Sequence, residues 1–383
     1  MEGDLTHSRF KIIIFLMRLS GLPVFMERKT KIFLAYEILI ELCGYSTFIG
    51  SWLNLFLNTE NFKERLVSVH LPLQLLIAAW IHLDMRLHVK TIESLLRFTE
   101  QFTWEELPQR DPENGDITSS GVALILPKMV KYSSLGLLSF HLLQSTYRML
   151  TKHEMIYIAW YPYDFKASPG YELTNLSQVF ASIQSAAIFC SYLGYYSLSV
   201  SVACSQFYKL NLDLQKMNAK QDFSTEELNN CIKHHQTILV FLDEIELAFN
   251  KSICGVLLVE MTVSCLCAFS ITSGWGEYAD LVQALAVFVF NMAGISMLCW
   301  AGNKLTESAE NVKEAVYSID WVGTTETFKR SVLLMITRTN KQFTLTAGKF
   351  IPVNNETMLS IYKETWTLIL FLLEMKNKYV QVD

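Results

Sequence analysis

The sequence predicts an all-α polytopic membrane protein: seven transmembrane helices with the N-terminus inside, plus cytoplasmic helical extensions forming an anchor bundle. Three observations predict it. Of the 383 residues, 51% are hydrophobic and only 18% charged, against about 25% charged in an ordinary soluble domain. Long stretches carry no Asp, Glu, Lys or Arg, and the basic residues crowd one set of the connections between them. Net charge is −5 and no basic run occurs, which excludes a nucleic-acid partner.

Residues 1–31 form a cytoplasmic amphipathic segment. The apolar run at 12–17 is too short for a secretory signal and leads into Arg18 and the turn-like "SGLP". A helical span needs about 20 mostly apolar residues. The charge-free stretches 42–59, 66–83, 132–147 and 173–208 supply spans one to four, assigned to 32–203. Residues 252–276, whose only charged residue is Glu260, and 281–303 supply spans five and six, assigned to 255–303. Glu260 reads as a hydrogen-bonded structural acid near the inner interface. Span seven occupies 353–376 and an extracellular tail 377–383. That span is interrupted by Glu356, Lys363 and Glu364. Charge at mid-bilayer costs about 2.5–3.5 kcal/mol on insertion scales, so these residues should face protein or water.

Orientation follows from the basic residues. With the N-terminus inside, the tail and the even-numbered connections hold 24 Lys and Arg, while the outside segments hold seven: Lys63, Arg65, Arg148, Lys152, Lys166, Lys376 and Lys378. A G-protein-coupled receptor has the opposite sense. Its Asp-Arg-Tyr and Asn-Pro-x-x-Tyr motifs are missing here, and no predicted outside loop carries a Cys.

The cytoplasmic segments 204–254 and 304–352 are amphipathic helices. Ser224 and Glu227 have capping-box spacing. Leu228, Ile232, His235, Leu239, Leu242, Ile245 and Phe249 then recur every three or four residues, as a packed seam requires. A second helix at 303–319 carries Leu305, Val312, Val316 and Ile319, and a third around 325–346 carries Phe328, Val332, Met335 and Ile336. They read as an intracellular bundle and a subunit interface, with a cap packed within one subunit as the alternative.

No enzyme signature is present. The eight Cys and the pair His234–His235 lack ligand spacing, so no metal or cofactor is expected, and no phosphate loop or nucleophile elbow occurs. A transporter would show repeated halves with broken helices, and none is visible.

"AVYSIDWVGTTETFKRSVLLMITRTNKQFTLTAGKFIPVNNETMLSIYKETWTLILFLL" (315–373) resembles the C-terminal signature of insect odorant receptors. There, Tyr and Trp precede an Arg-rich amphipathic helix, a Gly/Lys turn and a final span. "YPYDFKASPGYELTNLSQ" (161–178) looks like that family's second outside loop, and "MRLSGLPVF" (17–25) like its N-terminal start. The resemblance implies a ligand-gated cation channel of four subunits, its pore lined by span seven, in the plasma membrane of olfactory sensory neurons. It implies a small volatile odorant as ligand and a heterotetramer with the co-receptor subunit, in contact with membrane lipid. The co-receptor has a large insertion between spans four and five. Only 216–223 is a polar break here, which favours the odorant-binding type.

In that family the ligand lies in the outer half of each subunit. The matching outer halves here hold His70 and Leu73 in span two, Phe140, Gln144 and Tyr147 on one face of span three, Phe180, Ile183 and Gln184 in span four, and Phe288 in span six. Matching the final span puts a hydrophobic gate at Phe371 and Met375, with Glu374 near the outer mouth, where an acidic ring would favour cations. A gustatory receptor of the same superfamily, or a non-channel membrane transporter, is the alternative. The "Thr-Tyr-x-x-x-x-x-Gln-Phe" ending usual in gustatory receptors is absent from the last span.

Overall fold

A computed structural model describes residues 8–26, 29–57, 69–111, 115–220, 225–273, 278–341 and 343–380. In chain order these form α1 (Lys11–Leu19), α2 (Lys31–Leu57), α3 (His70–Leu87), α4 (Val89–Phe98), α5 (Ser119–Lys152), α6 (Gly170–Lys220), α7 (Thr225–Ser273), α8 (Tyr278–Tyr317), α9 (Glu326–Thr339), a two-stranded hairpin of β1 (Thr346–Ala347) and β2 (Ile351–Pro352), and α10 (Asn355–Val380). Among the described residues, five helices are long and apolar enough to cross a membrane: α2, α5 and the apolar parts of α6, α7 and α8. The helices at predicted spans two and seven, α3 and α10, carry Asp84 and Arg86, and Lys363 and Glu364, and are not among these five.

Three helices differ from the predicted boundaries in one respect. The divisions at 203/204, 254/255 and 303/304 fall inside α6, α7 and α8, so the extensions are prolongations of spans. In particular, 303–319 is not a separate helix. The reason is physical: loss of hydrophobicity marks where lipid ends, but nothing at these points ends a hydrogen-bonded helix. At about 1.5 Å per residue, the 51 residues of α6 extend about 76 Å, well beyond a hydrocarbon core of about 30 Å. The helix α5 also outruns its charge-free window, taking in Lys128 and Lys131.

The helix α6 is the axis of the core. Every residue from 187 to 207 is buried, on all sides of the helix. Gly194 allows a close approach to it: a Cβ there would lie 2.8 Å from Val130 of α5 and 3.4 Å from Ile13 of α1. Helix α1 inserts Ile13, Ile14 and Met17 beside it, so the predicted amphipathic start is packed into the protein. Arg9 fixes this start by ion-pairing with Glu105 at 2.7 Å and lying over the Trp104 ring at 3.7 Å.

At the same end, the first half of α7, the last turns of α8, α9 and the hairpin form a bundle. The predicted seam residues Leu228, Leu242, Ile245 and Phe249 are buried, as are Val312 and Val316 of α8 and Phe328, Val332 and Met335 of α9. Thr325 caps α9 by accepting from the Phe328 amide at 3.3 Å. The hairpin docks on α7 because Asn250 donates to the Thr346 carbonyl at 2.9 Å and the Thr346 amide donates to Glu246 at 3.0 Å. Gly348 and Lys349 make its turn at positive φ. Ser224, Lys63 and Arg65 lie outside the described residues.

His235 sits in this bundle, and burial, then the charge of Arg338 and neighbouring His234, pushes its pKa down to about 4. Its folded pKa is below the unfolded value, so the neutral ring contributes stability that is complete above about 6.5 and lost as pH falls toward 4. The expected loss is about 3 kcal/mol. Thermal unfolding of the detergent-solubilised protein from pH 7 to pH 4 should show this fall, and His235→Phe should flatten it. An unchanged profile in the variant would refute the assignment.

Candidate functional site

A cavity of about 120 Å³ lies between α3, α5, α6 and α8, in the half of the molecule away from the α7–α9 bundle. Its apolar wall includes Leu71, Leu138, Phe140, Phe189 and Phe290. Polar groups interrupt that wall at Gln74, His141, Gln144, Ser182, Gln283 and Asn291.

The connection from α5 to α6 folds over this cavity as a cover. Gln178 of α6 holds it by both amide atoms, accepting from the Tyr157 amide at 2.8 Å and donating to the Tyr157 carbonyl at 3.0 Å. Asn175, nearly one turn earlier, accepts from the Ile156 amide at 3.1 Å. These buried side-chain amides supply the partners that a buried loop backbone requires. The Tyr157 ring thereby reaches the cavity, 5.3 Å from the His141 ring, and its hydroxyl accepts from Ser182 at 3.2 Å. Arg148, at the end of α5, ties the same cover down. It donates to Glu154 and to Gln283, each at 2.9 Å.

Some hydrogen-bonding capacity at the cavity is unfilled. His141 Nε2 and Asn291 Oδ1 are buried with no partner among the described residues, while Asn291 Nδ2 donates to Gln74 at 3.4 Å. A buried polar atom without a partner costs about 1–3 kcal/mol. The site can therefore offer hydrogen bonds to a guest that is otherwise apolar.

Of the residues predicted for the ligand, the structure brings Phe140 and Gln144 together on the wall. Tyr147 is 59% exposed on the outside of α5. The inward face of α5 runs through Leu137, His141, Gln144 and Arg148. Each helical residue advances about 100°, so a face drawn through 140, 144 and 147 is rotated away from this one. Gln184 is buried but lines a smaller neighbouring cavity. Leu73 and Phe288 pack beside Val263, Cys267 and Ala284 between α3, α7 and α8. His70 is buried, Phe180 and Ile183 are half-buried, and none of the three lines the cavity.

Sequence reading missed Tyr157, His141, Gln74, Gln283 and Asn291. Asn175 and Gln178, two amides three residues apart at the start of a span, were the available signal that something folds back onto α6.

At the predicted gate, Phe371 and Glu374 are exposed and Met375 is half-buried. Among its described side chains, helix α10 fully buries Ile361, Thr365 and Ile369, a stripe at four-residue intervals against α7 and α8. Ser360, Glu364, Thr367, Phe371 and Glu374 all lie on the opposite face, and all are exposed. Lys363 and Glu356 are exposed too. Glu374 pairs with Lys378 at 2.8 Å. In α7, Glu260 is fully buried, and neither carboxyl oxygen has a hydrogen-bond partner among the described residues, which corrects its reading as a hydrogen-bonded acid. Gly294 of α8 and Phe189 of α6 pack beside it: a Cβ at Gly294 would lie 3.5 Å from Glu260 Oε2 and 3.7 Å from the Phe189 ring.

Comparison with known proteins matches residues 75–365 to the family model described as 7tm Odorant receptor. Odorant receptor 2a of Drosophila melanogaster is 20% identical over 239 residues, 58% of this chain and 60% of that protein. Odorant receptor 10 of Aedes albopictus is 22% identical over 218 residues, 55% of this chain and 57% of that protein. The chain thus spans less than two thirds of the length of these relatives. Among solved structures, the insect olfactory receptor OR5 from Machilis hrabei in complex with eugenol superposes with a TM-score of 0.78 at 16% identity, covering 98% of this chain and 99% of that one. A second structure of the insect olfactory receptor OR5 from Machilis hrabei superposes with a TM-score of 0.73 at 16% identity. At this identity the likeness concerns the fold. The relatives are named as receptors rather than enzymes.

Proposed function

This chain belongs to the odorant receptor family, and on that premise we infer that it binds a small volatile molecule in the covered cavity and thereby opens a cation channel. The observation carrying the ligand assignment is the cavity itself. Its about 120 Å³ is close to the engineered cavity of about 150 Å³ that binds benzene. An apolar wall with a few convergent polar groups suits a guest with one or two hydrogen-bonding atoms.

The channel assignment is supported by α10. Its polar face lies opposite the stripe that holds it to its own subunit, so it points at whatever occupies the centre of an assembly. Lipid there would meet Glu364 and Glu374 at a cost of several kcal/mol. A water-filled pore removes that cost. In this reading Phe371, with Met375 beside it, forms the constriction and Glu374 lies near the outer mouth. The α7–α9 bundle leaves Leu247, Leu333 and Leu334 exposed, at 70%, 55% and 61%, and these apolar groups supply a subunit interface. The partner is the co-receptor subunit in a heterotetramer, in the plasma membrane of olfactory neurons. The bundle faces the cytoplasm and the cavity cover the outside.

Two measurements test this. Co-expression with a co-receptor and a panel of volatiles should give ligand-dependent cation current. Substrate flux without current would identify a transporter instead. Epitope tags should stain at the C-terminus on intact cells and at the N-terminus only after permeabilisation. The reverse pattern would overturn the orientation.

A further inference from the structure

A second chamber of about 20 Å³ adjoins the main cavity, lined by Gly44 and Tyr45 of α2, His82 of α3 and Gln184 of α6, among others. Leu75, Ala78 and Ser185 line both spaces, so these three side chains are the partition between them. Two of the three are small. The Ser185 hydroxyl is folded back onto its own helix, donating to the Ala181 carbonyl at 2.9 Å. Gly44 is required for the chamber's lining, because a Cβ there would collide with the Gln184 side-chain carbonyl. Gln184 is in turn held by donation to the Ser20 carbonyl at 3.4 Å.

Among the described residues that line the chamber, one buried polar atom lacks a hydrogen-bond partner. His82 is 1% exposed, and its Nδ1 lies 3.0 Å from the Tyr45 hydroxyl, but Nε2 has no hydrogen-bond partner among the described residues. One water needs about 10–15 Å³, so the space admits one oxygen-sized group. Each tautomer of His82 leaves Nε2 with an unmet demand. If Tyr45 donates to Nδ1, Nε2 carries a proton and requires an acceptor. If Nδ1 donates to Tyr45, Nε2 requires a donor. A hydroxyl satisfies either case, whereas an ether oxygen satisfies only the first and brings an alkyl group too large for the space.

We propose that this chamber is a subsite for the terminal hydroxyl of a linear, otherwise apolar ligand whose chain lies in the main cavity and passes between Ala78 and Ser185 to His82 Nε2. The inference rests on the main cavity being the ligand site. It makes His82 and Ala78 determinants of ligand class: primary alcohols over alkyl ethers of the same length.

The test is ligand-evoked current for the 1-alkanols from butanol to decanol and for the methyl ethers of equal length, at matched surface expression. One hydrogen bond in a buried site should make the best alkanol about tenfold more potent than its ether. In His82→Phe that advantage should fall to within about twofold, with the ether dose–response unmoved; in Ala78→Leu, which also alters the main cavity, the ratio of alkanol to ether potency should fall likewise. Ser185→Val closes the passage from the other helix and serves if either variant fails to reach the surface. An alkanol advantage retained in the variants would leave a resident water as the chamber's only occupant and overturn the proposal, as would no advantage in the wild type. Phe140→Ala, in the main cavity only, separates the two readings. If it moves neither series, the main cavity itself is not the ligand site.

Discussion

Glu364→Lys should reduce cation current by about tenfold. A charge about 6 Å from a water-filled axis contributes about 0.7 kcal/mol to a passing monovalent cation, so reversing it costs about 1.4 kcal/mol per subunit. Glu364 lies on the exposed polar face of α10, and no ion pair to it occurs among the described residues. Glu374→Lys should act in the same direction but less strongly, because Lys378 already lies 2.8 Å from Glu374. Phe371→Ala removes bulk from the proposed constriction and should raise current in the absence of ligand. Whole-cell recordings of each variant with a wild-type co-receptor measure all three, and the relative permeability of calcium should fall with the charge reversals. Wild-type currents in all three, with a cysteine at 371 equally accessible with and without ligand, would show that α10 does not line the pore.

Tyr157→Ala should raise the ligand concentration for half-maximal current by tenfold or more. It deletes an aromatic wall of the cavity, the contact with His141 and the hydrogen bond from Ser182, and loss of such contacts is worth about 1–3 kcal/mol. Tyr157→Phe keeps the ring and loses only the hydroxyl, so its shift should be smaller. Tyr147→Ala should shift sensitivity by less than Tyr157→Ala, because Tyr147 is turned outward. Channel permeability should stay constant across the series. A larger effect at Tyr147 than at Tyr157 would move the ligand to the outer surface of α5 and refute the cavity assignment.

What was legible in the sequence was whatever depends on local pattern. Charge-free length located the five helices that are long and apolar enough to cross a membrane, and three-to-four-residue spacing identified the packed faces of α7 and α9 down to Phe328, Val332 and Met335. Both signals follow from helix geometry and burial alone. The resemblance in the last 60 residues or so then brought the family into view, because an ordered set of turns and caps survives where single residues do not.

The site was legible only in part, since its parts come from different spans and from a loop. Phe140 and Gln144 could be picked from their helix, but the rotation of α5 is set by Arg148 reaching Glu154 and Gln283. No periodicity within α5 contains that information. Tyr157 enters the cavity because Gln178, 21 residues further on, binds its backbone. The continuity of α6, α7 and α8 was likewise hidden, because hydropathy reports the solvent around a helix and not its hydrogen bonds. The sequence by itself determined which segments are helical and which of their faces are apolar. Only the tertiary structure decided which faces meet, because a helix rotates freely about its axis until a long-range contact fixes it.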